Sequence, residues 1–151
     1  MSLSTSRTIL KVAGVLSLIG AVFTLITGIL VIVGGAGALA STDMASELAN
    51  VPNAKIAVIA AAAGLLIAAA VAFIEGIISL KASRHNRFGT AALVFGILGF
   101  VSLISSVITT VKGGDFSATN IVSLVLSLVI NILVVMAASK VRSAYKTGIE
   151  E

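Results

Sequence analysis

The stretch AFIEGIISLKASRHNRFG, residues 72–89, contains a carboxylate, Glu75, within a long apolar segment. Glu75 is the only ionisable residue well inside any apolar segment of this chain. A carboxylate in a membrane-spanning helix is costly, and such residues commonly bind protons or cations. Ser79 follows one helical turn later on the same face. Glu75 and Ser79, together with Asn131, are therefore candidates for a site that binds protons or other cations.

The depth of Glu75 in its segment also supports a structural role. The segment has about 25 residues, or roughly 37 Å of helix, whereas the hydrocarbon core of a bilayer is roughly 30 Å thick. Glu75 then lies about one helical turn inside the edge of that core. There it can pair with Lys11, Lys140 or Arg142, or reach towards the headgroups. The shallow depth favours this structural role, and the ion-binding role stays open.

A stripe of polar residues follows the last apolar segment. Asn120, Ser123, Ser127 and Asn131 are spaced three, four and four residues apart, which places them on one face of a helix. Such a stripe can line a hydrated path or a ligand groove. It can also form interhelical hydrogen bonds, each worth about 0.6 kcal/mol on average in membranes. We favour hydrogen bonding, because a path for ions usually needs charge.

The residue types argue against most other chemistry. The chain has no cysteine and one histidine, His85, in the basic stretch KASRHNR, which we expect to be a solvated loop. A lone histidine without clustered carboxylates makes no metal site. A membrane acyl or phosphoryl transferase would need a nucleophile with its base, and none is evident. Basic residues do not alternate with aromatic ones, as they do in proteins that stack on bases. We therefore expect no enzyme activity, cofactor, metal or nucleic-acid partner.

The composition indicates an integral membrane protein. The 151 residues are 58% apolar and 11% charged, against about a quarter charged in soluble domains. A soluble fold of this size could not bury so much apolar surface. We expect an all-α protein with a single domain over residues 1–151, in which the lipid bilayer acts as solvent.

Four segments are long enough to cross a membrane, which takes about 20 mostly apolar residues. They are residues 9–39, 56–80, 90–111 and 121–138. We expect the glycine-rich end of the first, GGAGALA, to be irregular, because glycine weakens helices. The sequence ALA at residues 38–40 fits the cleavage site of a signal peptide. The apolar stretch is, however, far longer than the roughly 7–15 residues typical of such peptides, so we expect an uncleaved span.

The positive charges predict the orientation of the spans. Eight of the ten Lys and Arg residues lie in the N-terminal flank, the KASRHNR loop and the C-terminal tail. The positive-inside rule places these regions, and therefore both termini, in the cytoplasm. An even number of spans requires the same arrangement, and short loops make neighbouring helices antiparallel. In the first loop, we expect a short helix over residues 44–50, ended by Pro52.

Small residues recur at intervals of three or four in every span, as in the series Gly14, Ser17, Ala21, Thr24 and Gly28. Lipid does not press helices together, so close contact between small residues must do so. Four such helices offer more small-residue surface than one bundle needs. A homo-oligomer, or a complex with another membrane protein, is therefore a further candidate state.

The stretch LKASRHNRFGTAALVFGILGFVSLI, residues 80–104, resembles small uncharacterised four-span proteins of Gram-positive bacteria. In these proteins a short basic cytoplasmic loop precedes a third span with spaced glycines. The resemblance implies a protein of the bacterial plasma membrane and no particular activity.

The sequence thus predicts an antiparallel four-helix transmembrane bundle with both termini cytoplasmic. We expect a non-enzymatic protein that acts through protein–protein or protein–lipid interaction, as an accessory subunit or an immunity-type protein. The alternative is a small oligomeric transporter or channel, coupled to protons or cations through Glu75 and lined by the stripe from Asn120 to Asn131.

Overall fold

The computed structural model describes residues 1–40, 54–113 and 117–148, and these residues are almost entirely helical. The predicted short helix over residues 44–50 and Pro52 lie outside the described residues. The long helices are α1 (Leu3–Ala40), α2 (Ala54–Arg84), α3 (Gly89–Gly113) and α4 (Ala118–Lys146), and a single 3-10 turn (Asn86–Phe88) lies between α2 and α3.

All four helices are long and apolar enough to cross a membrane. The qualifying segments are Leu3–Gly35, Ile56–Arg84, Asn86–Lys112 and Asn120–Lys146, with mean hydropathies of 2.6, 2.7, 2.4 and 2.8. Each predicted span lies within one of these helices, so the prediction of an all-α chain with four candidate spans is confirmed.

The glycine-rich end of the first span departs from expectation. Helix α1 continues to Ala40 through GGAGALA, so the predicted irregularity is wrong. Glycine costs a helix about 1 kcal/mol relative to alanine in water. In lipid, however, an irregular backbone leaves polar groups unsatisfied, and this larger cost favours the helix.

Local signals explain several helix ends. Backbone torsions of −131° and 118° at His85 are extended and separate α2 from the 3-10 turn. At the start of α4, the Ser117 hydroxyl accepts a hydrogen bond from the Asn120 amide at 3.4 Å. At its end, Gly148 adopts a positive φ of 70° and its amide donates to the Tyr145 carbonyl at 3.3 Å. A left-handed glycine after a helix is a common way to satisfy its last carbonyls.

The chain divides into two compact units. The first unit comprises Met1–Leu16 and Glu75–Glu151, and the second comprises Ser17–Ile74. The core of the first unit draws on all four helices and is largely alanine: Leu10, Ala82, Ala92, Val134, Ala137, Ala138 and Val141. Such small side chains let the helix backbones approach closely. In the second unit, Gly28 of α1 lies against Leu65 and Leu66 of α2, where an added Cβ would be 3.3 Å from each side chain.

Candidate functional site

Glu75 lies beside a close contact between α1 and α2. A Cβ added to Gly14 of α1 would lie 2.9 Å from the Gly76 carbonyl oxygen and 2.9 Å from Leu80 Cγ. Only glycine fits there, because real Cβ atoms essentially never come so close to other atoms. The small-residue pattern of the sequence therefore identified Gly14 correctly as a packing position. The residue that follows Glu75 is part of this contact, which fixes the helix segment that carries the carboxylate.

The Glu75 carboxylate has no polar partner in the described part of the chain. Its side chain is half-buried, and no hydrogen bond or ion pair to it forms among residues 1–40, 54–113 and 117–148. Lys11 and Lys140 are exposed, and Arg142 is partly exposed. The predicted pairing of Glu75 with Lys11, Lys140 or Arg142 is thus not formed here, and it stays a prediction.

Among the three predicted partners of Glu75, Arg142 has a buried hydrogen-bond donor that is not satisfied within the described residues. Its Nε is buried and makes no hydrogen bond within the described part of the chain. Buried polar atoms without a partner are rare in native proteins and call for an explanation. The guanidinium of Arg142 is therefore a cationic group with capacity for a further acceptor.

Two other predicted site residues have different surroundings. Ser79, one turn after Glu75 on α2, is only 2% exposed. Asn131 of α4 packs against α3, because a Cβ added to Gly99 would overlap its Oδ1 atom. No hydrogen bond joins Glu75 to either residue within the described ranges. The structure therefore keeps Ser79 near Glu75 along one helix and places Asn131 at the contact between α3 and α4.

The polar stripe of α4 is used unevenly. The Asn131 side-chain amide donates to the Ser127 carbonyl within α4 at 2.9 Å, rather than to another helix. Ser123 is exposed, whereas Asn120 and Ser127 are partly buried. Asn131 does contact a neighbouring helix, α3, but by close packing against Gly99. The two roles predicted for the stripe, lining a path and holding helices together, both stay predictions.

A polar link that the sequence did not indicate joins α1 to the turn after α2. Arg7 Nη2 donates to Asn86 Oδ1 at 2.8 Å, and Asn86 is only 7% exposed. The stretch KASRHNR was expected to be a solvated loop. This is wrong for Lys81–Arg84, which belong to α2 and include the fully buried Ala82. It is also wrong for the buried Asn86, whereas His85 and Arg87 are exposed. The only sequence signal was an arginine and an asparagine 79 residues apart. Such a separation gives no periodic pattern to detect.

The same end of the first unit carries most of the positive charge. Lys81 Nζ lies 5.5 Å and Arg87 Cζ 4.9 Å from the centre of the Phe88 ring, and both distances suit cation–π contacts. Phe88 packs on the core, and the following Gly89 lies against the backbone of Arg142. We call this part of the first unit the basic end, after its basic residues Arg7, Lys81, Arg84, Arg87, Lys140 and Arg142.

An apolar groove of about 210 Å³ lies between α1 and α4 of the first unit. Residues between Thr8 and Leu16 line one side, and residues between Ile130 and Val134 line the other. We call this the α1–α4 groove. Its α1 side begins next to Arg7, one of the basic residues at this end.

Comparison with known proteins adds no assignment. The chain matches no protein-family model, no curated protein and no solved structure. Among the described residues, no group of three or more His, Cys, Asp or Glu side chains could hold a metal ion. The features of the described residues that bear on function are the apolar helices, the half-buried carboxylate, the basic end and the α1–α4 groove.

Proposed function

We propose that this chain is a non-enzymatic integral membrane protein that acts through protein–protein or protein–lipid interaction. The observation that carries this proposal is how little of the spans is covered. In the most apolar window of each span, only 11% to 17% of the residues are buried. Large apolar side chains such as Phe23 and Ile67 are 66% and 65% exposed. These surfaces are suited to lipid, a second copy or another membrane protein.

The proposed topology is an antiparallel four-helix transmembrane bundle with both termini in the cytoplasm. Along α3, Gly89, Gly96 and Gly99 face successively earlier residues of α4, namely Arg142, Val135 and Asn131. Contacts in this order support opposite directions for the two helices. The basic end supports a cytoplasmic location for both termini by the positive-inside rule. The resemblance to four-span proteins of Gram-positive bacteria supports the plasma membrane of a bacterium as the location.

The orientation can be tested cleanly because the chain has no cysteine. We expect single cysteines replacing Ser4, His85 or Thr147 to react with a membrane-impermeant maleimide only after the cells are permeabilised. A cysteine replacing Lys112 should react in intact cells. If the Lys112 and Thr147 positions react from the same side, the proposed topology is wrong. If all four sites react with the opposite preference, the spans are correct and the orientation is inverted.

The interaction proposal predicts specific photo-cross-links in the native membrane. A photoreactive amino acid at Phe23 or Ile67 should give discrete adducts with a partner protein, a second copy or a particular lipid. The buried Ala138 provides the control position, because it is 0% exposed and should give none of these intermolecular adducts. Adducts that merely follow the bulk lipid composition at both exposed positions would contradict the proposal. If a discrete protein adduct forms, the identity of the captured partner distinguishes an accessory subunit from an immunity-type protein.

A second candidate function has specific support from Glu75. A half-buried carboxylate without a polar partner in the described residues is available to bind a proton or a cation. This favours, as the alternative, a small oligomeric transporter or channel coupled through Glu75. Cation flux that responds to a pH gradient and depends on Glu75 would distinguish it from a protein that acts only through interaction.

A further inference from the structure

The α1–α4 groove combines an apolar interior with nearby positive charge. We propose that it holds one acyl chain of an anionic phospholipid, whose headgroup phosphate is bound by Lys11 and Lys140. This inference rests on the proposed function, since it names a lipid as one interaction partner. Three features support a lipid in the groove: its apolar walls, its direction along α1 and the positive charge beside it.

The walls of the groove suit a hydrocarbon chain. Of the eight described residues that line it, only Thr8 is polar. The Thr8 hydroxyl already donates to the Ser4 carbonyl at 3.1 Å, so it needs no partner in the groove. The volume of about 210 Å³ is well above the roughly 10–15 Å³ that a single water molecule needs. Apolar cavities do not hold ordered water. In a bilayer, an acyl chain is the available filler.

The direction of the groove matches a lipid standing in the membrane. On α1 the lining extends from Thr8 to Leu16, which is about 12 Å along the helix axis. A lipid chain in the groove would therefore run beside α1, with its headgroup towards the basic end.

The charges near the groove select an anionic headgroup. Lys11 lies three residues after the lining residue Thr8, and Lys140 lies seven residues after the lining residue Leu133, so each lysine lies beside a lining residue on the same side of its helix. Both lysines are exposed. Neither forms an ion pair within residues 1–40, 54–113 and 117–148. A phosphate without a compensating ammonium group, as in phosphatidylglycerol, complements this surface better than a zwitterionic headgroup does.

The test is lipid binding to the full chain, measured by native mass spectrometry in detergent. Phosphatidylglycerol and phosphatidylcholine with identical chains are titrated separately. We expect phosphatidylglycerol to bind more tightly. Lys140→Gln should weaken it about fivefold, which corresponds to roughly 1 kcal/mol for one cation near a headgroup. Lys112→Gln removes the same charge at the other end of α3 and should leave the affinity unchanged.

A second pair of variants tests the groove itself. Val12→Trp fills the groove and should weaken phosphatidylglycerol binding about tenfold, whereas Val22→Trp, further along α1 and outside the groove lining, should have no effect. Val12 and Val22 are 53% and 51% exposed, so both variants should fold. Equal affinity for the two lipids, or no effect of Val12→Trp, would overturn the inference. Glycerol phosphate binding as tightly as the lipid would also overturn the inference, because it would show that the acyl chain contributes nothing to affinity.

The remaining outcomes separate this site from the broader proposal. If Val12→Trp changes the number of copies in the complex and leaves lipid affinity unchanged, a second copy occupies the groove and the lipid assignment is wrong. The lipid site alone would be wrong if Phe23 or Ile67 gave discrete photo-cross-links to a protein partner and the chain showed no selectivity for phosphatidylglycerol. The interaction proposal would survive that result.

Discussion

Replacing Gly89 with alanine is expected to lower the free energy of unfolding by about 2–3 kcal/mol, the upper part of the range for overpacked sites. An added Cβ would lie 2.6 Å from the Arg142 amide nitrogen, 2.9 Å from its Cα and 3.0 Å from the Val141 carbonyl carbon. All three atoms belong to the backbone of α4, so no side chain can rotate to make room. Helices α3 and α4 would have to separate where the basic end meets the core.

The cost at Gly89 can be separated from the general effect of alanine by two glycines with different surroundings. At Gly96, also in α3, the closest atom to an added Cβ is the Val135 Cγ2 methyl at 2.9 Å, which can move. At Gly64 of α2, nothing lies within 4 Å. We expect Gly96→Ala to destabilise by about 1 kcal/mol and Gly64→Ala to stabilise slightly, by about 0.5–1 kcal/mol. Reversible unfolding in mixed detergent measures all three.

A Gly89→Ala variant as stable as the unmodified protein would show that α3 and α4 do not meet backbone to backbone at this position. Equal losses at Gly89 and Gly64 would indicate that glycine matters at these positions for reasons other than contact. Only the order Gly89, Gly96, Gly64, from most to least costly, agrees with the packing described above.

The helices were predictable from the sequence because the signals that define them are local. Long apolar runs determine each span. The helices nevertheless extend beyond the apolar runs, as in α4, which continues from the predicted end at residue 138 to Lys146. Polar residues such as Ser139 and Lys140 remain compatible with a helix in the headgroup region. Apolar length therefore predicts where a helix crosses the membrane and underestimates where it stops.

Contacts between distant residues were not predictable in the same way. The spacing of small residues identified Gly14 as a packing position, but nothing in it named Gly76 and Leu80 as the opposing surface. The hydrogen bond from Arg7 to Asn86 had no signal at all, since many polar side chains near the basic end could have formed it. For Glu75, apolar length and charge spacing predicted a depth in the membrane and three candidate cationic partners. Which of them can reach it depends on how α1, α2 and α4 pack.

Replacing Glu75 with glutamine is expected to raise the free energy of unfolding by about 1–2 kcal/mol, part of the cost of a charge in a membrane helix. A charged residue at the centre of a membrane helix costs about 2.5–3.5 kcal/mol, and the shallower position of Glu75 reduces that cost. Because the carboxylate is half-buried and has no polar partner in the described residues, glutamine removes the charge and loses no bond. Unfolding at pH 7 in lipid nanodiscs, where the bilayer is present, measures the difference.

The opposite result would mean that Glu75 acquires a cation in the bilayer. Lys11→Gln, Lys140→Gln and Arg142→Gln, each combined with Glu75→Gln, then identify it, because only the true partner gives a double variant that is less destabilised than the sum of the single ones. Arg142 has a particular claim, since its buried Nε lacks an acceptor among the described residues. Loss of stability in Glu75→Gln with clear coupling to Arg142 would make the carboxylate structural.

If Glu75→Gln is more stable than the unmodified chain, the carboxylate is retained at a cost to the stability of the fold. A flux assay then tests whether ion coupling is the reason. Proteoliposomes containing the unmodified chain, loaded with a pH gradient, should carry cations if Glu75 is the coupling group, and Glu75→Gln should abolish that flux. Ser79→Ala is the matched variant on the same helix face: it keeps the charge and should reduce the flux without abolishing it. Flux that persists in Glu75→Gln would rule out coupling through this residue. With no flux in either protein, a stabilised Glu75→Gln would assign the carboxylate to the interaction surface, where its loss should remove a photo-cross-link instead.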